Sequence, residues 1–139
     1  MPKAFVSTVI NAPIERVWRV ASDFNGLAAW MPGMKESVIE PGKSATEVGA
    51  VRKLSMAGTK DVLRERLEEL SPEEFLITYS VLEGPLPVKN IRTSMRLRTA
   101  RTMAHSARTA SPPGKITAST QTAIRMRRSL STGSSKSNF

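Results

Sequence analysis

The fold is decided by residues Gly58–Arg98, GTKDVLRERLEELSPEEFLITYSVLEGPLPVKNIRTSMRLR, which we interpret as three antiparallel strands separated by turns. Three leucines are interleaved with charged residues over 63–70, and β-branched and aromatic residues dominate 75–82. Prolines interrupt the strand pattern between these runs, because a proline has no backbone N–H to donate to a neighbouring strand. One face of the third run, 89–98, carries Ile91, Thr93, Met95 and Leu97. A period of two predicts that this face is buried and the other is in water.

The residues before this stretch predict one strand, two helices and two more strands. A strand is predicted over Lys3–Ile10 and an amphipathic helix over Pro13–Ser22, where proline suits the first helical turn. A short helix, Leu27–Trp30, precedes the strands Met34–Glu40 and Val48–Met56. Strands that follow one another through short turns favour a curved antiparallel meander, so the predicted fold class is α+β.

Composition excludes several classes of protein and site. The 139 residues fit one domain and contain no cysteine, so neither a disulfide framework nor a thiolate metal site is expected. No apolar run approaches the roughly 18 residues of a membrane span, and no signal pattern opens the sequence, so a cytoplasmic protein is expected. His105 is the only histidine, which gives no support to a metal cluster or a Ser/His triad. We therefore expect no cofactor.

Positive charge is concentrated after residue 98. Residues 1–98 hold 14 Lys/Arg against 12 Asp/Glu, whereas residues 99–139 hold 7 Lys/Arg and no acid. Fifteen of those last 41 residues are Ser or Thr. This composition predicts a division into a folded part, 1–98, and a basic tail, 99–139, that is weakly ordered or forms an atypical helix over 118–130.

Several segments of residues 3–98 resemble, in their order and spacing, the START-like or SRPBCC superfamily, which includes polyketide cyclase/dehydrase and lipid-transport proteins. The segments are Ala12–Trp18 (APIERVW), Asp23-Phe24, Trp30–Gly33 (WMPG), Gly49–Arg52 (GAVR), Leu63–Leu70 (LRERLEEL) and Tyr79–Val88 (YSVLEGPLPV). The resemblance implies a helix-grip fold, in which a curved antiparallel sheet wraps a long C-terminal helix around an apolar cavity. Members bind lipids, sterols, hormones or polyketides there, and some catalyse cyclisation or dehydration.

The resemblance ends where the last strand and long helix of the superfamily would follow. Acids and family likeness disappear together after residue 98, and Phe139 is the only aromatic residue beyond it. One hypothesis is that these residues come from a shifted reading frame, which sequencing the gene would test. The alternative is a genuinely divergent tail.

Alternation along the strands, read with the resemblance, gives the candidate ligand-binding residues. They are Trp30, Met34, Val38, Leu54, Met56, Leu63, Glu65, Leu67, Tyr79, Val81, Ile91, Thr93 and Met95. Methionines make adaptable apolar walls, and Trp30 lies beside a Pro-Gly turn where it could gate a cavity. The alternative for most of these residues is ordinary core packing.

Glu65 is the candidate polar residue, since period two places it inward with Leu63 and Leu67. A carboxylate in an apolar cavity could orient a ligand or act as a general acid or base, with the Tyr79 hydroxyl beside it. The alternative is a solvated carboxylate paired across strands with an arginine. Arg64 and Arg66 are expected on the outside.

Three functions remain open from the sequence. The first is binding of a small hydrophobic molecule, and the second is a cyclase or dehydratase that uses Glu65 and Tyr79. The third is nucleic-acid binding through Arg125, Arg127 and Arg128, which is disfavoured because the tail lacks stacking aromatic residues. A homodimer is one way to cover a concave face that lacks its helix.

Overall fold

The computed structural model describes residues 3–85, 90–100 and 121–130, which form seven strands and two short helices. The strands are β1 (Lys3–Ile10), β2 (Met34–Ile39), β3 (Val51–Met56), β4 (Val62–Ser71), β5 (Leu76–Glu83), β6 (Ile91–Ala100) and β7 (Gln121–Leu130). An α-helix, α1 (Ile14–Ala21), and a 3-10 helix (Phe24–Ala29) connect β1 to β2. Neither of these two helices, the only ones among the described residues, has the length and hydropathy of a membrane span.

All seven strands belong to one antiparallel sheet in the order β1-β7-β6-β5-β4-β3-β2. Strands β2 to β6 follow one another as a meander, as the sequence predicts, and the α+β fold class is confirmed. Breaks in register occur within β4 and between Met34 and Glu36 of β2. Such bulges bend a strand and increase its twist, which curves the sheet.

The second helix and the start of β3 differ from their predicted bounds. The 3-10 helix begins at Phe24, before the predicted Leu27, because Phe24 is itself buried, with 1% of its surface exposed. Strand β3 begins at Val51 instead of Val48, since a turn holds Gly49 at a φ of 94°. Strand β1 has the predicted bounds.

The prediction of a weakly ordered segment or an atypical helix over residues 118–130 is wrong, because residues 121–130 form strand β7. Residues 121–130 are neither a helix nor a weakly ordered segment, because they pair with β6 on one side and β1 on the other. A period of two explains this: Thr122, Ile124 and Met126 lie on one face, and Arg125 and Arg127 on the other. The remainder of the predicted tail, 101–120 and 131–139, lies outside the described residues.

The helices cover one face of the sheet, which we term the inner face. Ile14 and Val17 of α1 pack there on a core that includes Leu67, Ile77 and Leu97. The inner face of β6 carries Ile91, Thr93, Met95 and Leu97, all buried, as predicted. The opposite, outer face is polar over most of β6 and β7. The candidate site is therefore sought on the inner face.

Candidate functional site

A hollow of about 420 Å³ lies between α1 and the inner face of β1, β7 and β6. Its lining residues are Thr8, Ile10, Arg16, Val17, Val20, Ala21, Trp30, Met95, Ile124 and Met126. Of the described residues that line it, Arg16 alone carries a charge. A concave apolar space of this kind is the default binding-site hypothesis in a structure without a bound ligand.

The hollow is built by the register of three strands. Thr8 lies opposite Ile124, and Met95 lies opposite Met126, so their side chains project from the same face. Helix α1 supplies Val17 and Val20 from above, and Trp30 follows the 3-10 helix at the rim with 39% of its surface exposed. Strand β7 is thus an essential wall, although its residues carried no prediction of a cavity.

A buried ion pair lies deeper on the inner face, on β3 and β4. Arg52 is directly opposite Glu65 in the sheet, and the two are 2% and 5% exposed. Arg52 Nε donates to Glu65 Oε2 at 2.8 Å, and Arg52 Nη2 donates to the same oxygen at 2.5 Å. Arg52 Nη1 donates to the carbonyl oxygen of Phe24 at 2.5 Å. The pair therefore joins the two strands to the 3-10 helix.

Two aromatic rings enclose the guanidinium group of Arg52. Its central carbon lies 4.2 Å from the ring centroid of Phe24 and 4.8 Å from that of Tyr79. The negative face of a ring attracts a desolvated cation, so these contacts stabilise the buried charge. Burial, assisted by the charge of Glu65, raises the pKa of the Tyr79 hydroxyl. That hydroxyl is therefore protonated at neutral pH.

Arg128 connects β7 to the polar part of the inner face. It lies opposite Thr93 across β6 and β7, and its Nε donates to Thr93 Oγ1 at 3.3 Å. Thr93 is in turn opposite Tyr79. A row of polar groups thus runs from the exposed side chain of Arg128 toward the ion pair. The arrangement offers an apolar hollow beside a polar row that begins at the surface.

The structure divides the predicted ligand-binding residues into four groups. Trp30 and Met95 line the hollow. The second group is buried on the inner face and consists of Leu54, Leu67, Glu65, Tyr79, Ile91 and Thr93. Met34, Met56, Leu63 and Val81 are half-buried on the inner face. Contact of any of them with a ligand stays a prediction.

Val38 is the fourth group, and its predicted inward orientation is wrong. It lies opposite Lys53 on the outer face and is 49% exposed, whereas its neighbour Ser37 lies opposite the buried Leu54. The register shift between Met34 and Glu36 changes which residues of β2 share a face. Counting in steps of two from Met34 therefore gave the wrong face.

Glu65 faces inward as predicted, and it is paired with an arginine, but the pair is buried and not solvated. Arg64 and Arg66 lie outside, where Arg64 bonds Glu40 and Glu83, and Arg66 bonds Glu68. Sequence reasoning missed Arg52 as the partner. The sequence did contain an indication of this partner: Arg52 is two residues from Leu54 and four from Met56, so all three lie on one face of β3.

Comparison with protein families identifies the chain. A family model described as "Polyketide cyclase / dehydrase and lipid transport" matches residues 1–129. The chain belongs to this family. The match extends past residue 98, where the resemblance in the sequence ended, and so includes most of β7. The family and the fold support a hydrophobic ligand-binding or cyclase role for this member of the family.

Solved structures with the same fold include the protein XoxI of Bacillus cereus and a protein of Nitrosospira multiformis, each 25% identical in sequence. The TM-score is 0.72 for XoxI, over 94% of this chain and 75% of that one. For the Nitrosospira protein it is 0.69, over 96% and 81%.

A third similar structure is the Zhui aromatase/cyclase of a Streptomyces species. It is 20% identical, with a TM-score of 0.67 over 94% of this chain and 67% of that one, and so supports the fold alone. A search of curated proteins gave no match.

Proposed function

We propose that this protein binds a small hydrophobic molecule, of lipid or polyketide type, in the hollow between α1 and strands β1, β7 and β6. The observation that carries the proposal is the lining itself, in which apolar side chains from one helix and three strands converge on one space. The volume of about 420 Å³ lies within the range of about 300–1,000 Å³ typical of small-molecule sites.

The energetics favour an apolar occupant. Water in this hollow meets few hydrogen-bonding groups, since the described lining offers only the side chains of Thr8 and Arg16 and the indole N–H of Trp30. Replacing that water with a hydrocarbon gains about 25 cal/mol for each Å² of apolar surface removed from solvent. The methionines at 95 and 126 adapt to different shapes, so the site suits a class of ligands better than a single one.

Fluorescence titration with cis-parinaric acid, a polyene fatty acid, tests the proposal. We expect saturable binding at a stoichiometry of one. Val20→Trp places an indole at the hollow and should weaken binding about tenfold or more, which is ~1.4 kcal/mol. Val48→Trp is the matched control, because Val48 is also about half exposed but lies outside the lining.

Equal affinities in the two tryptophan variants would show that the probe binds elsewhere and would contradict the proposal. Urea unfolding of both variants should give similar midpoints, which separates a blocked hollow from a damaged fold. Native mass spectrometry of protein purified from cells then identifies any retained ligand by its mass.

The second candidate is a cyclase or dehydratase that uses Glu65 and Tyr79. The protonated hydroxyl of Tyr79 favours it, because such a group can donate to a developing oxyanion. Against it, the Glu65 carboxylate is bonded by Arg52 beneath the aromatic rings. Turnover of a poly-β-ketone substrate, abolished in Tyr79→Phe, would favour the enzyme, whereas stoichiometric binding without turnover would favour the carrier.

A further inference from the structure

The outer face of β1, β7 and β6 carries an unusual excess of positive charge. Its described cations are Lys3, Arg92, Arg96, Arg98, Arg125 and Arg127. The remaining described residues of this face are Phe5, Ser7, Val9, Ser94, Ala100, Ala123 and Ser129, so these three strands contribute no acid to it. We term this surface the arginine face.

The arginine face holds like charges in direct opposition. Arg96 lies opposite Arg125 across β6 and β7, an arrangement that normally destabilises a sheet. Among the described carboxylates, Glu74 Oε2 lies 3.7 Å from Arg96 Nη2, and Glu68 lies near enough to Arg92 for that charge to lower its pKa. Two acids at its border therefore face six cations. An external anion would relieve this repulsion.

Apolar side chains lie among these cations. Phe5 is 52% exposed and Val9 is 55% exposed, both on β1. The guanidinium carbons of Arg125 and Arg127 lie 5.1 and 5.7 Å from the centroid of the Phe5 ring. These cation–π contacts hold the two arginines in place beside an exposed ring. Strand β1 is also at the edge of the described sheet, where a flat partner can reach it.

We propose that the arginine face docks the protein on an anionic lipid bilayer. Basic residues near such a surface are attracted to the headgroups, and exposed apolar side chains such as Phe5 and Val9 enter the interface between headgroup and acyl chain. This inference stands apart from the ligand proposed above, because it concerns the opposite face of the sheet.

The same residues fit a bilayer better than a nucleic acid. Binding of single strands depends on several aromatic rings that stack on successive bases, and the described arginine face carries one ring, that of Phe5. Phosphates alone would leave Phe5 and Val9 exposed to water. A bilayer satisfies both the charges and the apolar side chains.

Cosedimentation with vesicles tests the proposal on the full chain. One set of vesicles is pure phosphatidylcholine, and the other is phosphatidylcholine mixed with phosphatidylglycerol. We expect binding to the mixed vesicles alone. Binding should weaken as salt rises from about 0.05 to about 0.5 M, because the Debye length shortens over that range.

Charge-removal variants localise the contact. Arg125→Gln/Arg127→Gln should weaken vesicle binding roughly tenfold or more, since each basic residue adds attraction at the surface. Lys35→Gln/Lys53→Gln is the matched control, because it removes the same charge from exposed positions on β2 and β3 and should bind as the parent does. Phe5→Ser tests the apolar contribution and should also weaken binding.

Arg92→Gln/Arg98→Gln is the second pair, to be used if the first variant fails to fold by circular dichroism. The proposal is overturned by equal binding to neutral vesicles, by absence of binding, or by equal losses in the variants and the lysine control. It is also overturned if these arginines instead govern retention of single-stranded DNA or dimer formation while vesicles stay unbound.

Discussion

At the scale of single residues, the Arg52–Glu65 pair is the most constrained feature of the protein. Removing two charges from water costs several kcal/mol for each, and their attraction offsets this cost only when further hydrogen bonds are made. Here the Phe24 carbonyl accepts a further hydrogen bond from Arg52, and two aromatic rings add cation–π contacts. The pair therefore fixes how the 3-10 helix sits on β3 and β4.

Breaking the pair should be worse than removing it. We expect Glu65→Leu to lower the free energy of unfolding by about 3–5 kcal/mol, because it leaves Arg52 buried without its carboxylate. Arg52→Met/Glu65→Leu should cost less than the sum of the two single changes. Urea unfolding measures all four proteins, and strict additivity would contradict the coupling.

The partly exposed pair Arg64–Glu40 provides the comparison for that experiment. Its two side chains are each 33% exposed, so solvent screens their attraction. Glu40→Leu should therefore destabilise the protein less than Glu65→Leu does. The opposite order would show that burial of Arg52 does not decide the cost.

Tyr79 should make stability fall at alkaline pH. Its pKa is raised in the folded protein by burial and by Glu65, so the folded state keeps this proton to a higher pH than the unfolded chain does. The contribution is complete below about pH 10 and is lost as pH rises through the folded pKa. Urea unfolding over that range should show a decline that Tyr79→Phe reduces.

A spectroscopic titration checks the same shift directly. Tyr79 is the only tyrosine of the chain, so the ultraviolet absorbance of tyrosinate reports on it alone. Its midpoint should be higher in the folded protein than in urea. A midpoint equal to that of the unfolded chain would contradict the shift.

Sequence patterning located Glu65 but not its partner, for a physical reason. Period two places Glu65 with its leucine neighbours, which gives its direction. The phase of Arg52 with Leu54 and Met56 also indicates an inward side chain, but charged residues are almost never fully buried unless paired. Only the register of β3 and β4 shows that Glu65 lies opposite it and supplies the pair. Which residues lie opposite each other depends on the register of the two strands in the folded protein, and the sequence of one strand does not specify that register.

At the scale of elements, β7 decides both the sheet and the hollow. Its first residues are fixed by Thr122, which is fully buried and whose Oγ1 donates to the carbonyl oxygen of Ala12 at 2.7 Å. That bond joins the start of β7 to the turn between β1 and α1. The position of α1 over the hollow thus depends partly on β7.

Thr122→Val should loosen this connection without changing the volume of the side chain much. It leaves the Ala12 carbonyl without its donor, and we expect a loss of about 1–3 kcal/mol in the free energy of unfolding. Thr99→Val on the exposed partner position of β6 is the control and should have a smaller effect. Equal effects would show that the bond to Ala12 contributes nothing of its own.

Strand β7 was not predicted because the composition of this part of the chain indicates disorder, whereas the alternation of its residues indicates a strand. Ser, Thr and Arg dominate the residues after 98, and that balance indicates a weakly ordered tail. The alternation of Thr122, Ile124 and Met126 with arginines is nonetheless typical of a half-buried strand. Arginine fits such a strand because its long stem packs while its head stays in water.

At the scale of the whole molecule, positive charge opposes the compact state. The formal net charge is +9, and the arginine face concentrates much of it on three adjacent strands. Self-repulsion of this kind is weakened by salt. The protein should therefore be more stable at moderate than at low ionic strength.

Urea unfolding at increasing potassium chloride tests this expectation. The midpoint should rise between about 0.02 and about 0.3 M salt, where the Debye length falls to below about 10 Å. Arg96→Gln/Arg125→Gln should flatten that rise, because it removes the opposed charges. A midpoint that falls with salt would mean that attractive pairs such as Arg64–Glu40 dominate instead.

The position of β1 beside β7 imposes an order on assembly during synthesis. Ile10 pairs with Thr122 and Lys3 with Ser129, so the first strand waits for more than 110 intervening residues before its partner leaves the ribosome. Contacts so distant along the chain slow folding. Until β7 is synthesised, β1 has no partner strand and the edge of β6 is unpaired. These are the two places where a chaperone would be needed.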